Sequence, residues 1–371
     1  MAASRTGPNM TQIAKAVGVS SATVSNALSG KGRVSPELVE KIRAKAAELG
    51  YVPSSAGRAL RTGRSNVLGL VLPDISNPLF PQIAQAMESA ASDAGYGVLI
   101  ADSRGDVTTQ TQAIARLIER GVDGLVVIPR RGTRIGSVSC PVAMVDTPST
   151  PGNTVSADHW EGGAQLARHL LDLGHRKFLF VGHDRASNVQ NDRIGGMKSA
   201  LGNDVSHETI WIEPMLRRQG DDASLGLLGH VTSGVTAIAA VSDLHALRVL
   251  TELQTAGIKV PEQVSVTGFD DLVFAPVVTP SLTTVHMDMT RIAQIAIAAL
   301  TKEIEGPRTT TVTNTGEIDT PEIDHKNGAT VQQTVKADTS KVSMKLMVRA
   351  SSGPAASPDT QARMEKLYNG D

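Results

Sequence analysis

From Asn66 onward, short apolar segments alternate with amphipathic helical patterns, and this alternation limits the possible folds more than any other feature of the chain. The segments "VLGLVLPD", "YGVLIAD" and "DGLVVIP" have the length and composition of buried strands, with helical patterns between them. The same order restarts near residue 158 and runs through "KFLFVGH", "VTAIAAVSD" and "QVSVTGFDD". Strands that alternate with helices form parallel sheets with helices on both faces. The sequence therefore predicts two α/β units in series.

The first fifty residues follow a different pattern, three short helices with strong cap signals. Asn9 and Gln12 form a capping box that opens the first helix, and Gly18 ends it. Ser20 is the N-cap of the second helix, and Ser35, followed by a proline, begins the third. Two helices joined by a tight turn and braced by a third are typical of a helix-turn-helix unit.

The second of these helices has an apolar face and a face of short polar side chains. Val24, Ala27 and Leu28 face a core, whereas Ser21 and Asn26 lie on the opposite face. A small three-helix bundle with a merely polar surface would also give this pattern. Short hydroxyl and amide side chains, however, let a helix enter the major groove of DNA and meet base edges and phosphates. We therefore expect this helix to bind DNA.

Charge is distributed unevenly along the 371 residues, although the total is only -1. Up to Ser65 there are ten basic and three acidic residues, a net charge of +7, so the remainder carries -8. A basic block in front of an acidic body is a common footprint of nucleic-acid binding. No apolar run approaches the ~20 residues of a membrane span, and the start has no secretory signal. We expect a cytoplasmic protein, bound to the nucleoid when it is on DNA.

Several motifs together resemble the LacI (lactose repressor) family of bacterial transcriptional regulators. They are "IAKAVGVSSATVSNALSG", "VSPELVEKIRAKAAELGYVPSSAGRALRTGRSNVLGLVLPDISNPLF", "ADHWEGGAQLARHLLDLGHRKFLFVG", "DRIGGMKSAL" and "SVTGFDD", in the order that the family has. The resemblance implies an N-terminal all-α helix-turn-helix head and a periplasmic-binding-protein-like, two-lobed α/β effector domain. It also implies a homodimer that represses transcription at a roughly palindromic double-stranded operator, switched by a small-molecule effector such as a sugar or nucleoside.

The resemblance assigns DNA-binding roles to the head and to the segment after it. Positions 21, 22 and 26 would read bases, and the others would mostly hold the phosphate backbone or enter the minor groove. Leu60 would be the minor-groove wedge of a hinge helix, and Gly57 stands where the family normally has alanine, which weakens that helix. The predicted DNA-binding residues are Ser20, Ser21, Ala22, Thr23, Ser25, Asn26, Arg33, Ser35, Arg58 and Leu60.

Polar residues at the carboxyl ends of the predicted strands are the candidates for effector binding. Ligands of open α/β sheets bind at these ends, although a strand-end aspartate is more often only a helix cap. Arg193 is expected to open a helix and to grip ligand hydroxyls together with a carboxylate. Family positions favour five of the candidates, and Asp243 rests on its strand-end position alone. The predicted effector-binding residues are Asn77, Phe80, Asp146, Arg193, Asp243 and Asp270.

The predicted domain boundaries follow these patterns. The head spans 1–50, a hinge or linker 51–65, and the effector domain 66–354. Lobe 1 covers about 66–157 and 289–305, and lobe 2 about 158–284 and 344–354. A Thr-rich polar insertion at 307–343 reads as a mobile loop, although a hairpin turning at Asn327-Gly328 is the alternative. Residues 355–371 read as a tail.

The sequence offers little to support catalysis. It has no P-loop, no G-x-G-x-x-G after a strand, no H-E-x-x-H and no G-x-S-x-G elbow, and its nine histidines lack metal-ligand spacing. We therefore expect no enzyme activity, no cofactor, no metal and no membrane partner. A solute-binding receptor shares the two-lobed fold and is the alternative, but it would need an export signal and would have no basic head.

Overall fold

The structure, a computed structural model, describes residues 8–30, 32–51, 62–133, 135, 138–306 and 340–357. The chain forms two compact units, Met1–Ser65 and Asn66–Asp371. Of the predicted site residues, Arg58 and Leu60 lie outside the described residues, as does Gly57. Most of the predicted insertion, 307–339, and the end of the tail, 358–371, lie outside them as well.

The first unit contains three helices, α1 (Met10–Val17), α2 (Ser21–Ser29) and α3 (Pro36–Glu48). The predicted capping box is confirmed: the Asn9 side chain accepts the Gln12 N–H, and Gln12 accepts the Asn9 N–H. Gly18 follows α1 with φ 79°, a left-handed conformation that favours glycine and turns the chain sharply into α2. Ile13, Val24 and Ile42, one from each helix, are fully buried and form the centre of the core.

The second unit begins with lobe 1, a parallel sheet with helices on both faces. Its first elements are β1 (Val67–Leu72), α4 (Leu79–Asp93), β2 (Gly97–Asp102), α5 (Val107–Glu119), β3 (Gly124–Val127), β4 (Val142–Val145) and β5 (Asn153–Ala157). β1, β3 and β4 are nearly continuous in apolar residues, and they are buried because helices cover both faces.

Lobe 2 repeats this arrangement with a four-stranded parallel sheet in the order β7-β6-β8-β9. Its elements are α6 (His159–Asp172), β6 (Lys177–Gly182), α7 (Asn188–Ser199), β7 (Ser206–Trp211), α8 (Ile212–Gln219), α9 (Leu227–Thr232), β8 (Ala237–Ala240), α10 (Asp243–Thr255) and β9 (Ser265–Thr267). The predicted fold class, a helical head followed by a two-lobed α/β domain, is confirmed.

The remaining elements cross between the lobes. They are β10 (Thr284–His286), α11 (Met289–Glu305), β11 (Ser340–Val342) and β12 (Lys345–Met347). β10 and β12 pair antiparallel, and α11 packs on α4 and on β3, β4 and β5 of lobe 1. A shared apolar core runs from Leu68 in lobe 1 to Phe178 in lobe 2.

The predicted C-terminal boundary of the insertion, residue 343, is wrong. Residues 340–342 do not belong to a mobile loop but form β11, which pairs parallel with β5 and gives lobe 1 the strand order β11-β5-β4-β3-β1-β2. The physical reason is that the outer edge of β5 offers backbone hydrogen-bonding groups and the lobe 1 core buries Val342. A run of three residues with a single apolar one, Val342, is too short to predict a strand from the sequence.

Candidate functional site

The exposed face of α2 carries the three predicted base-reading residues. Ser21, Ala22 and Asn26 are exposed, whereas Val24 and Ala27 on the opposite face are buried. The short side chains leave the backbone of α2 accessible from this side. α2 therefore has the shape and polarity that a major-groove helix requires.

Two of the predicted phosphate-binding residues, Ser20 and Ser35, also cap helices. The Ser20 hydroxyl accepts the Thr23 N–H (3.1 Å), and the Ser35 hydroxyl accepts the Leu38 N–H (3.4 Å). Both serines are N-caps and lie on the surface with Arg33. Ser25 and Thr23 are partly buried. Helix N-termini of this kind are suited to phosphate oxygens because their first N–H groups point outward.

A cavity of about 750 Å³ lies between the two lobes, at the carboxyl ends of both sheets. Five of the six predicted effector-binding residues line it: Asn77, Phe80, Asp146, Arg193 and Asp270. Met287 and Met289, which follow β10, line it too. We call this space the main cavity. Its size and its mixture of apolar walls with a few convergent polar groups are typical of small-molecule sites.

A buried ion pair forms one wall of the main cavity. Arg193 Nη2 lies 2.7 Å from Asp270 Oδ1, and the two side chains are 3% and 1% exposed. Arg193 also donates Nη1–H to the Val241 carbonyl oxygen (2.6 Å) and Nε–H to His159 Nδ1 (3.4 Å). Burial raises the pKa of the Asp270 carboxyl, and the adjacent Arg193 guanidinium opposes the rise.

Arg193 does not open a helix, contrary to the sequence-based expectation. Ser187 caps α7, so Arg193 lies in the second turn, with its guanidinium 4.0 Å from the centre of the Phe269 ring. The cap signal at Ser187 was missed because Asn188, Asn191 and Asp192 are also cap-forming residue types. The turn at Asp270, whose φ of 105° is rare for a non-glycine residue, aims the carboxylate back at Arg193.

Paired glycines set the position of Arg193. Helices α6 and α7 cross closely, with Gly163 of α6 against the backbone of α7 and Gly195 and Gly196 of α7 against Trp160 of α6. A methyl group on Gly163 would overlap the Arg193 carbonyl oxygen, and one on Gly196 would overlap the Trp160 carbonyl oxygen. The absence of side chains at this crossing therefore brings His159 of α6 within reach of Arg193.

Asp146 lies on the lobe 1 wall, one residue after β4. Its carboxylate accepts the Thr150 hydroxyl and lies 3.5 Å from Nδ2 of Asn188, the first residue of α7 in lobe 2. Burial raises the pKa of Asp146, and the Thr150 and Asn188 hydrogen bonds oppose the rise. A carboxylate held in this position can accept a hydrogen bond from a ligand hydroxyl.

Asp243 is the predicted site residue that the structure does not place at the cavity. It begins α10 but is fully buried, where its carboxylate accepts the Leu272 N–H (2.7 Å) and the Thr284 hydroxyl. Because of these hydrogen bonds, the Asp243 side chain points away from the main cavity. Its bond to Leu272 stabilises the loop that carries Asp270. Burial, with the nearby Asp270 charge, raises the pKa of Asp243 to about 7.

We expect the Asp243→Asn variant to lose a pH dependence that the wild type has. The folded-state pKa of about 7 exceeds the ordinary aspartate value, so the folded protein holds a proton that the unfolded chain releases. The free energy of unfolding of the wild type should therefore fall as pH rises from 4 to 7. Asparagine carries no charge, and its Oδ1 can accept the Leu272 N–H while its Nδ2–H donates to the Thr284 hydroxyl oxygen, so the variant should be more stable than wild type at pH 8 by on the order of 1–2 kcal/mol.

Urea unfolding at pH 5 and pH 8 checks this expectation. Asp93→Asn, at an exposed position near the end of α4, is the matched control and should follow the wild type at both pH values. Parallel pH curves for wild type and Asp243→Asn would show that Asp243 is ionised in the folded protein throughout.

Two histidines that were not predicted as site residues also line the main cavity. His183 and His245 stack with ring centres 5.1 Å apart, and Ser242 Oγ lies 2.6 Å from His245 Nδ1. Burial lowers the pKa of both, that of His245 to about 3, so the pair is neutral. Their positions in the sequence could have predicted this contact. His183 follows β6 and His245 lies shortly after β8, and β6 and β8 are neighbouring parallel strands.

Neither Trp160 nor Trp211 is among the residues that line the main cavity. Trp160 packs over the glycines of α7 and is half exposed, and Arg185 lies 5.8 Å from the Trp211 ring centre. Within the described parts of the chain, no cluster of three metal-binding side chains occurs. No described helix is long and apolar enough to cross a membrane.

Comparisons with known proteins agree with this architecture. Residues 9–54 match the family model "Bacterial regulatory proteins, lacI family", and residues 167–318 match "Periplasmic binding protein-like domain". The chain is 32% identical over 286 residues to the HTH-type transcriptional regulator DegA of Bacillus subtilis, covering 74% of this chain and 84% of the relative.

Two further proteins extend the comparison. The ribose operon repressor of Haemophilus influenzae is 28% identical over 306 residues, which cover 80% of this chain and 92% of that protein. The crystal structure of the lac repressor dimer, bound to operator and the anti-inducer ONPF, superposes with a TM-score of 0.73 at 22% identity. That superposition covers 93% of this chain and 99% of the other, and it establishes the similarity of fold.

Proposed function

Because this chain belongs to the LacI family of bacterial regulatory proteins, we propose that it is a homodimeric, cytoplasmic repressor whose effector is a sugar bound in the main cavity. As a member of this family, it is a sequence-specific DNA-binding transcriptional regulator and not an enzyme. A small molecule changes its affinity for DNA. The dimer, the repression and the sugar are our proposals. They are supported by the lac repressor dimer on its operator and by the name of the ribose operon repressor.

The observation that carries the proposed effector class is the polar lining of the main cavity. Asp146 accepts hydrogen bonds from one side, and the Arg193–Asp270 pair offers both donors and acceptors from the other. Vicinal hydroxyls, which both donate and accept, match such an arrangement. Phe80 supplies an apolar surface against which the carbon face of a sugar ring can pack.

Binding in this cavity can act as a switch because both lobes line it. Polar contacts already cross the cleft: Arg130 Nη2 of lobe 1 lies 3.3 Å from Asp184 Oδ2 of lobe 2, and Asn188 of lobe 2 reaches Asp146 of lobe 1. A ligand shifts an equilibrium between lobe arrangements only by its difference in affinity for them. Ligand groups that bridge Asp146 and Arg193 provide such a difference.

The alternative, a solute-binding receptor, lacks support from the first unit. A receptor would have no use for a helix-turn-helix head that exposes Ser21, Ala22 and Asn26. The family model for regulatory proteins matches this head at residues 9–54. The two-lobed domain alone would fit either class of protein.

We expect Asp146→Asn to weaken effector binding by about ten- to a hundredfold. The substitution removes a charged hydrogen-bond acceptor, and such a bond contributes roughly 1.5–3 kcal/mol. A thermal-shift screen of sugars, nucleosides and sugar phosphates identifies the effector, and calorimetry then compares wild type with the variant. The exposed Asp93→Asn serves as the matched control. An effector that binds Asp146→Asn as tightly as wild type would place the effector site elsewhere.

A further inference from the structure

The carboxamide of Asn26 is the longest polar group on the exposed face of α2. The backbone carbonyl oxygen of Asn26 is already bound, because it accepts the Gly30 N–H and, at 3.4 Å, the Ser29 hydroxyl. The side chain is different: among the described residues, the carboxamide has no hydrogen-bond partner. Its donors and its acceptor are therefore available to a DNA base.

The loop that follows α2 returns to this carboxamide at Gly32. Gly30 and Gly32 both have left-handed backbone conformations, with φ 66° and 86°. A methyl group on Gly32 would lie 3.2 Å from Asn26 Nδ2, which is closer than an ordinary van der Waals contact. A methyl group on Gly30 would meet no atom within 4 Å. Position 30 therefore needs glycine for its backbone conformation alone, whereas glycine at position 32 also leaves room for the Asn26 carboxamide.

An asparagine carboxamide can make two hydrogen bonds with one adenine in the major groove. Its Nδ2–H donates to adenine N7, and its Oδ1 accepts the N6–H. Both bonds form together only when the carboxamide lies close to the plane of the base. A side chain that already has this orientation loses less conformational entropy on binding than one that rotates freely. The backbone of Gly32, packed beside Nδ2, restricts that rotation.

We propose that Gly32 is a positioning residue for DNA recognition, which holds the Asn26 carboxamide in the orientation that reads an adenine. This inference rests on the proposed function and adds to it one base of the operator and the residue that makes its recognition selective. A methyl group at position 32 would push Nδ2 aside and misalign the pair of hydrogen bonds. Gly32→Ala should therefore change which base is preferred at one position, and not only how tightly DNA binds.

Base preference at a single operator position tests the proposal. Fluorescence anisotropy compares the DNA that the full-length chain selects with each single base-pair change in it, for wild type, Asn26→Ala and Gly32→Ala. The position at which Asn26→Ala loses its preference is the one that Asn26 reads, and we expect an A·T pair there. Gly32→Ala should lose about 5- to 150-fold of the wild-type preference at that pair, the range for one bidentate contact. A G·C pair at that position would contradict the proposal.

Gly30→Ala is the matched control. Alanine is strained at both glycines because both have positive φ, so both variants should lower the stability of the head. A base preference is a ratio of two affinities of the same variant, so this loss of stability cancels from it. Gly30→Ala should keep the wild-type preference at the pair that Asn26 reads. An unchanged preference in Gly32→Ala, or an equal loss in both variants, would overturn the inference.

The double variant Asn26→Ala/Gly32→Ala separates an effect on one side chain from a displacement of α2. Without the carboxamide, the methyl group at position 32 has nothing to push aside. The double variant should therefore have the base preferences of Asn26→Ala at every position. A further loss of preference at other positions would show that Gly32 places the whole helix, and would contradict a specific role for Asn26.

Nuclear Overhauser spectroscopy of the full-length wild type measures the contact without any substitution. In a deuterated chain with protonated glycine and asparagine, we expect cross-peaks between the Gly32 Hα atoms and the Asn26 Nδ2 protons. Their absence would overturn the inference even if Gly32→Ala does not fold. A full-length chain that selects no DNA sequence would instead overturn the proposed function. Selected DNA whose preferences Gly32→Ala leaves intact would overturn the role of Gly32 alone.

Discussion

Replacing Gly196 with alanine is expected to lower the free energy of unfolding of the two-lobed unit by about 3 kcal/mol, an unusually large effect for one added methyl group. The methyl group would overlap the Trp160 carbonyl oxygen, which belongs to the backbone of α6 and cannot rotate away as a side chain can. The two helices must move apart to accommodate it. Because α7 carries Arg193 and α6 carries His159, effector binding should weaken as well.

Gly229→Ala is the matched control for this variant. Gly229 lies in α9 with no atom near its would-be methyl group, so alanine there should be neutral or slightly stabilising through its helix propensity. Urea unfolding of both variants, followed by circular dichroism, measures the difference. A Gly196→Ala protein within 0.5 kcal/mol of wild type, on the roughly ±0.5 kcal/mol scale of ordinary surface substitutions, would show that the crossing is not tight.

Removal of residues 1–65 is expected to abolish operator binding while leaving a folded protein that binds effector. The removed unit carries a net charge of +7 and the exposed face of α2, whereas the remaining chain carries -8 and would be repelled by phosphates. For the full-length chain, a plot of the logarithm of DNA affinity against the logarithm of salt concentration should have a slope of about -0.9 for each phosphate neutralised. Fluorescence anisotropy with DNA selected by the full-length chain measures both, and a truncated chain that still binds this DNA would locate the DNA site in the lobes.

Local signals carried much of the fold. The capping box at Asn9, the Ser35 cap before a proline and the left-handed Gly18 each act within a few residues, so the sequence alone predicts the three helices of the head. The strand ends predicted Asn77 and Asp146 at the cavity because parallel strands place their carboxyl ends at one sheet edge.

Features that depend on tertiary partners could not be predicted in this way. The strand-end rule that predicted Asp146 fails for Asp243, because Leu272 and Thr284, distant in sequence, supply better hydrogen-bond partners than the cavity. The stacking of His183 with His245 depends on two strands being neighbours. β11 forms because β5 has an open edge, which the sequence of Ser340–Val342 does not encode.

Operator affinity measured while effector is added tests most directly the central claim, that a ligand in the main cavity controls DNA binding. Fluorescence anisotropy of labelled operator, with the full-length chain, should show the dissociation constant changing by about 5- to 150-fold between no effector and saturation, the usual range of coupling between two sites. Asp146→Asn should reach the same change only at about ten- to a hundredfold more effector. An operator affinity that stays constant while calorimetry shows the effector bound would contradict the claim.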